Sequence, residues 1–258
     1  MAELSAEARG TGAAVLSTQG LSRNFGGLAA VRDVSIALHH GELHAVIGPN
    51  GAGKTTLVNM LSGALAPSTG RILLADRDVA GEPAWRMSRL GVGRSFQRTN
   101  IFAPLSVLEN VRLAVQAVRH GLNPLKRADR QSDLVTHAEA SLARVGLADL
   151  ANRDAGTLSH GEQRQLEIAM ALAGGAKVLL LDEPLAGMGV EESQRMVQLM
   201  RALAREHAVL LIEHDMDVVF AVADWMTVMA EGSVLAEGKP RAIRANVEVQ
   251  EAYLGEAH

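Results

Sequence analysis

The chain has 258 residues, 48% of them hydrophobic, and sets 25 lysines and arginines against 29 acids for a formal net charge of −4. That length and apolar content suit one large domain and exclude global disorder, while the acidic balance argues against nucleic-acid binding through a broad positive face. No cysteine is present, which excludes disulfides and thiolate metal sites and fits a reducing compartment.

The opening "MAELSAEARGTGAA" carries Glu3 and Glu7 and lacks the basic end and apolar run of a secretory signal, so residues 1–12 are expected to be a flexible tail before a single domain at 13–258. From Ala13 to Val46, short apolar runs broken by "NFGG" and "LHHGE" predict three strands. The period then changes. "LHAVIGPNGAGKTTLVNMLSG" predicts a glycine-rich loop and a helix from about Lys54 to Ser62, closed by Gly63 with Pro67 beyond. "GRILLADRDV" reads as further short strands. The region from about Ile101 to Gly175 reads as helical. Ser106 and Glu109 form a capping-box pattern, with Leu108, Val111, Val115 and Val118 on one face. "HGLNPLKRADRQ" is a polar break, and Leu134, Ala138, Leu142 and Val145 make a second stripe. The runs "KVLLLDEP" and "AVLLIEHD" are continuous enough for strands buried on both faces, separated by a helix marked by Val190, Met196, Val197, Met200 and Leu203. Strand, helix and strand in alternation predict an α/β fold with a mostly parallel sheet. A helical subdomain of about 98–175 would be inserted between core segments of about 13–97 and 176–258. No stretch approaches the ~18 uncharged apolar residues of a spanning helix, so any membrane role is expected to act through a partner.

Three motifs carry chemistry. "GPNGAGKT" fits G-x-x-x-x-G-K-[ST] and lies after an apolar strand and before a helix, the context in which such a loop binds phosphate. Gly48, Gly51 and Gly53 would let the backbone bend so that the N–H groups of this loop, which also contains Pro49, Asn50 and Ala52, face the phosphates. Lys54 would reach the β- and γ-phosphates of a bound nucleotide, and the Thr55 hydroxyl, with Thr56 beside it, would ligate Mg²⁺. Asp182 and Glu183 end a buried strand, where such sheets bind ligands. Asp182 suits the water shell of Mg²⁺, and Glu183 suits the base for a water attacking the γ-phosphate. "LSHGEQRQLE" places Ser159 as N-cap and Glu162 three residues on, a capping box opening a helix whose buried face includes Leu166, Ala169 and Leu172. A Ser-His-Glu triad is excluded because neighbours on a helix start do not face one another. A metal site at His160 and Glu162 lacks further nearby ligands.

Together these motifs resemble the ATP-binding subunits of ABC transporters, from about Leu16 onward. The resemblance implies a P-loop NTPase core with a mostly parallel sheet, an N-terminal antiparallel β subdomain and an inserted helical subdomain. It implies ATP and Mg²⁺ as cofactors and ATP hydrolysis as the activity. "LSHGEQ" stands where that family has its signature, usually Leu-Ser-Gly-Gly-Gln. His160 and Glu162 depart from it, while Ser159 and Gly161 remain. In the family this helix start meets the γ-phosphate of ATP held by a second subunit, so Ser159, Gly161 and Glu162 would act in trans. Gln97 in "GRSFQRT" matches the Q-loop glutamine, contacting Mg²⁺ or the attacking water. His214 ending "VLLIEH" matches the switch histidine, and Phe25 matches the aromatic that stacks on adenine. Gly189 stands where many relatives carry a D-loop aspartate.

"SFQRTNIFAPLSVLENV", "DEPLAGMGVEE", "IEHDMDVV" and "EAYLGE" are similar to ATPases of branched-chain amino acid importers. Urea and short-chain amide importers and lipopolysaccharide-export ATPases share much of this. The implied partners are a second ATPase subunit, identical or different, transmembrane permease subunits and, indirectly, a substrate-binding protein, but no nucleic acid. The implied location is peripheral, on the cytoplasmic face of the inner membrane. Two other classes contain the phosphate loop. Soluble ABC ATPases of repair or translation usually join two cassettes or insert a long coiled coil, and nucleotide kinases should lack both the signature helix and His214.

Overall fold

The computed structural model describes residues 12–95, 100–119 and 131–254. Two sheets organise the chain. The first is antiparallel and is built from β1 (Ala14–Phe25), β2 (Leu28–Val34), β3 (Ala37–His39), β5 (Thr69–Leu74) and β6 (Arg77–Asp78), in the order β2-β1-β5-β6 with β3 also on β1. The second contains β4 (Leu43–Ile47), β7 (Val92–Ser95), β8 (Val178–Asp182), β9 (Ala208–Ile212), β10 (Trp225–Ala230) and β11 (Ser233–Gly238), in the order β11-β10-β4-β9-β8-β7. Every neighbour pair in it is parallel except β10 with β11. This is the expected α/β architecture. Between Ala14 and Ile47 there are four strands where three were expected. The "HHGE" turn separates β3 from β4, and three residues are too few for β3 to show an alternation of its own.

The buried strands show why their sequences are apolar throughout. Successive side chains of a strand point to opposite faces. Val178 and Leu180 of β8, with Ala208, Leu210 and Ile212 of β9, pack toward the antiparallel sheet and α1 (Lys54–Leu61). Leu179 and Leu181, with Val209 and Leu211, pack on the opposite face against α5 (His160–Ala173) and α6 (Val190–Ala204). A sheet covered on both faces leaves no position for a solvent-facing side chain in mid-strand.

The same second layer includes α3 (Val107–Arg119) and α4 (Gln131–Val145), which with α5 form the helical part of the chain. The expected stripe of Leu134, Ala138, Leu142 and Val145 is fully buried. On α3 the buried line is Val107, Val111 and Val115, with Leu108 partly covered. The capping pattern at Ser106 is half formed: Ser106 Oγ accepts the Glu109 N–H at 3.1 Å, while the Glu109 carboxylate reaches forward to Arg112 Nε at 2.7 Å. On α6, Met196, Met200 and Leu203 are buried as expected, but Val190 is 76% exposed. It is the first helical residue, so its side chain lies beyond the edge of the layer that the later turns cover. The remaining described helices are short: α2 (Ala84–Leu90), α7 (Met216–Val222), α8 (Pro240–Arg244) and α9 (Val247–Leu254). No helix among the described residues is long and apolar enough to cross a membrane.

Candidate active site

The parallel strands bring the phosphate loop, the acid pair and His214 to one edge of the sheet. Val46 of β4 lies opposite Ile212 of β9, and Ile212 lies opposite Asp182 of β8. Neighbouring strands are about 4.8 Å apart, so the phosphate loop, His214 and the acid pair all leave the sheet at its carboxyl end within a few strand widths. This is where open α/β sheets bind ligands.

The loop between β4 and α1 can take its path only with glycine at two points. Gly48 has φ +152°, and a Cβ there would lie 2.1 Å from the Met229 carbonyl oxygen. Gly53 caps α1 in the left-handed region with φ +98°, and a Cβ would lie 2.4 Å from the Ala30 oxygen. The loop is thus wedged between β2 and the end of β10 and opens into the N-terminus of α1, whose dipole favours an anion. Lys54 Nζ donates to the carbonyls of Gly48 at 2.5 Å and Pro49 at 2.9 Å, which holds the ammonium over its own loop. Thr55 is exposed and Thr56 partly buried in the first turn of α1.

Asp182 ends β8 almost fully buried and is paired with Arg94 of β7, Nη2 to Oδ2, at 3.0 Å. The same guanidinium donates from Nη1 to Asn59 Oδ1 at 2.6 Å and to Ser62 Oγ at 3.0 Å, so it ties the acid to α1. Two buried charges are tolerable only when paired and hydrogen-bonded in this way. Glu183, the next residue, has φ +50°, uncommon for a residue with a side chain. Its N–H donates to the Ile212 carbonyl at 2.9 Å, which anchors this turn to β9. Its carboxylate stands 3.6 Å from His214 Nδ1, with the histidine ring largely exposed and Glu183 mostly covered. Beneath them Glu213 is buried and accepts the N–H groups of Leu185 at 2.9 Å and His214 at 3.2 Å. Burial pushes its carboxyl above the usual range, the two backbone donors pull it down, and the Glu183 charge adds to the rise.

Ser159, Gly161 and Glu162 gather in a second place. The capping box is complete: Ser159 Oγ accepts the Glu162 N–H at 3.3 Å, and Glu162 Oε2 accepts the Ser159 N–H at 2.8 Å. These residues line a cleft of about 270 Å³ with Glu192 and Arg195 of α6, and no residue of the phosphate loop is among its lining. Phe25, at the end of β1, is 46% exposed with the Arg23 guanidinium 4.8 Å from its ring centroid. Gln97 lies outside the described residues. Gly189 is the N-cap of α6, and its N–H donates to Glu192 Oε2 at 3.4 Å.

The sequence reading passes over Arg94, Glu213 and Glu192, which the structure brings to these two places. Glu213 had a signal, since like Asp182 and Glu183 it is an acid ending a buried apolar strand. Arg94 and Glu192 had none, because their partners lie 88 and 33 residues away.

Many kinases and ATPases carry a phosphate loop at the carboxyl edge of a parallel sheet. An antiparallel sheet packed over that loop, and three helices placed ahead of the strand that bears the acid pair, narrow the class to ATP-binding cassettes. The comparisons with known proteins agree. The family model described as ABC transporter matches residues 31–186, and the chain belongs to that family and is an ATPase. A second model, described as branched-chain amino acid ATP-binding cassette transporter, matches residues 233–258. The chain is 42% identical to the high-affinity branched-chain amino acid transport ATP-binding protein LivG of Escherichia coli K12, with 94% of this chain and 98% of that protein covered. It is 40% identical to BraF of Pseudomonas aeruginosa, a protein of the same description, at the same coverage. It superposes with a TM-score of 0.82 and 29% identity on the ADP conformation of an ATP-binding cassette of an ABC transporter, over 95% of this chain and 100% of that one.

Proposed function

We propose that this ATPase powers an importer of branched-chain amino acids. Two copies, or one copy and a related cassette, would work beneath a pair of permease subunits on the cytoplasmic face of the inner membrane and take their cargo from a substrate-binding protein. The observation that carries the ATPase half is the row of Val46, Ile212 and Asp182 across three parallel strands, which delivers loop, histidine and acids to one edge. The cargo reading is supported by the names of LivG and BraF and by the match at residues 233–258, which favours it over urea, amide or lipopolysaccharide transport.

On this reading the backbone from Gly48 to Gly53 cradles the phosphates, Lys54 exchanges its two carbonyl partners for β- and γ-phosphate oxygens, and Phe25 covers the adenine. Thr55 and Asp182 would hold Mg²⁺. A hydroxyl and one carboxylate, tied to the same helix through Arg94, suit an ion that takes few protein ligands and keeps several waters. When bound it would neutralise charge on the phosphates. Glu183 takes the proton of the attacking water, held in place by its anchored turn and by His214. Gln97 would sense the same water. Ser159, Gly161 and Glu162 complete the ATP site of the facing subunit.

Glu183→Gln should keep ATP binding and slow hydrolysis by about 10²- to 10⁴-fold, the usual share of a general base. In cells that depend on this protein, the same variant should abolish uptake of labelled leucine, isoleucine and valine and leave urea uptake unchanged. Normal leucine uptake would overturn the cargo assignment, and near-normal hydrolysis would remove Glu183 from the mechanism.

A further inference from the structure

Ser159 is occupied within its own chain. Its Oγ donates to Glu192 Oε1 at 2.8 Å and accepts the Glu162 N–H at 3.3 Å. A serine hydroxyl has one proton, so while Glu192 holds it, Ser159 cannot donate to a phosphate oxygen. The glutamate also lies across the helix start, since a Cβ added to Gly161 would lie 3.1 Å from its Cδ and Oε1. Glu192 is held from below by the Gly189 N–H at 3.4 Å, in the loop that follows the acid pair.

We propose that Glu192 is a positioning residue that gates the signature helix: its carboxylate takes the place on Ser159 and Gly161 that the partner subunit's γ-phosphate must take when two cassettes close. This rests on the shared-site reading above. The two ligands of Ser159 are both anions, so they compete for one proton and repel each other across the same cleft. The Ser159 hydrogen bond and the Gly189 N–H hold the Glu192 carboxyl below its ordinary range, so at neutral pH the gate is fully charged. Arg195, three residues along α6 and lining the same cleft, is where the displaced carboxylate turns. The gate links two motifs that sequence alone treats separately, because Glu192 belongs to the segment after Glu183 while Ser159 opens the signature helix.

The test is an ATP titration of dimer formation by sedimentation velocity, in a Glu183→Gln background that slows hydrolysis. Glu192→Gln keeps an oxygen for the Gly189 N–H but removes the charge. An exposed charged contact of this kind is worth about two- to fivefold. Two gates open per dimer, so the dimerisation constant should rise about 4- to 25-fold. Glu192→Ala should shift it in the same direction, and thermal melting of both variants checks that α6 is intact. In a Ser159→Ala background the effect of Glu192→Gln should shrink to the part carried by charge repulsion and by the cover over Gly161, whereas a merely structural role of Glu192 would leave the effect at full size. Unchanged or weaker dimerisation in Glu192→Gln overturns the gate. Ser159→Arg separates the two readings: if it blocks ATP-dependent dimerisation while Glu192→Gln changes nothing, only the gate fails. If Ser159→Arg dimerises normally, the shared site fails and the gate with it.

Discussion

The phosphate loop offers a comparison in which geometry alone sets the outcome. Gly51 and Gly53 both have left-handed backbones, with φ of +80° and +98°. Alanine in that region costs about 1 to 2 kcal/mol at either site. The two differ in the space around them. A Cβ on Gly51 meets nothing within 4 Å, whereas on Gly53 it would lie 2.4 Å from the Ala30 carbonyl oxygen and 3.3 Å from Val31 Cγ2. Both of those atoms belong to β2, and Val31 is fully buried. The strand or the helix start must therefore move by more than half an ångström, at an overpacking cost of about 1 to 3 kcal/mol more. Gly53→Ala should then lose about 2 to 5 kcal/mol and Gly51→Ala about 1 to 2. For a domain of this size each kcal/mol is about 2 to 4 °C in Tm, so the former should melt about 4 to 20 °C lower and the latter about 2 to 8 °C lower. Differential scanning fluorimetry reads both, and a fluorescent ATP analogue reports whether Gly53→Ala also loses binding because the first turn of α1 has shifted. Equal melting of the two variants would refute the claim that contact with β2, and not backbone conformation, makes Gly53 indispensable.

Two further expectations come from buried charge. Arg94→Met leaves the Asp182 carboxylate buried without its ion-pair partner and should cost about 3 to 5 kcal/mol in urea unfolding; a loss below about 1 kcal/mol would mean that water reaches Asp182. Glu213 has a carboxyl raised chiefly by burial, and a group raised in the folded state contributes stability that is fully present below its unfolded value, near 4.3, and is lost as pH rises through the folded value. The stability of Glu213→Gln relative to the parent should therefore be more favourable at pH 7 than at pH 5, measured by urea unfolding at both, and a difference of the opposite sign would show that the two backbone donors outweigh burial.

Much of the fold was legible because its signals are local. β8 and β9 are continuous apolar runs because both faces of the sheet are covered, and the phosphate loop is a fixed spacing between a strand and a helix. The α4 stripe needs only its own sequence. Val190 failed because a helical period says which face a residue lies on and not whether the neighbouring layer extends that far. β3 failed because a strand of three residues carries less than two periods. Charged pairs were the least legible. Nothing near Arg94 marks it as the partner of Asp182; the pairing exists because β7 and β8 are neighbours in the sheet although α3, α4 and α5 lie between them in the chain. Glu192 likewise has nothing to mark it until the fold sets the start of α6 beside the start of α5.

These pairings share a pattern that bears on how a cassette can close and reopen. Lys54 sits on carbonyls of its own loop, Asp182 on Arg94, and Ser159 on Glu192. On the proposed reading, a nucleotide phosphate or its metal ion must exchange with an in-chain partner at each of these groups. Exchanging one charged hydrogen-bond partner for another is worth far less than the same bond made from nothing. No single contact then commits the two subunits to the closed form. Closure depends on several exchanges at two sites summing in one direction, and loss of the γ-phosphate removes enough of them to reverse the sign. On the same reading, tighter individual contacts would give a dimer that closes more firmly and transports less, because the in-chain partners, Glu192 among them, would be what makes opening favourable once hydrolysis is done.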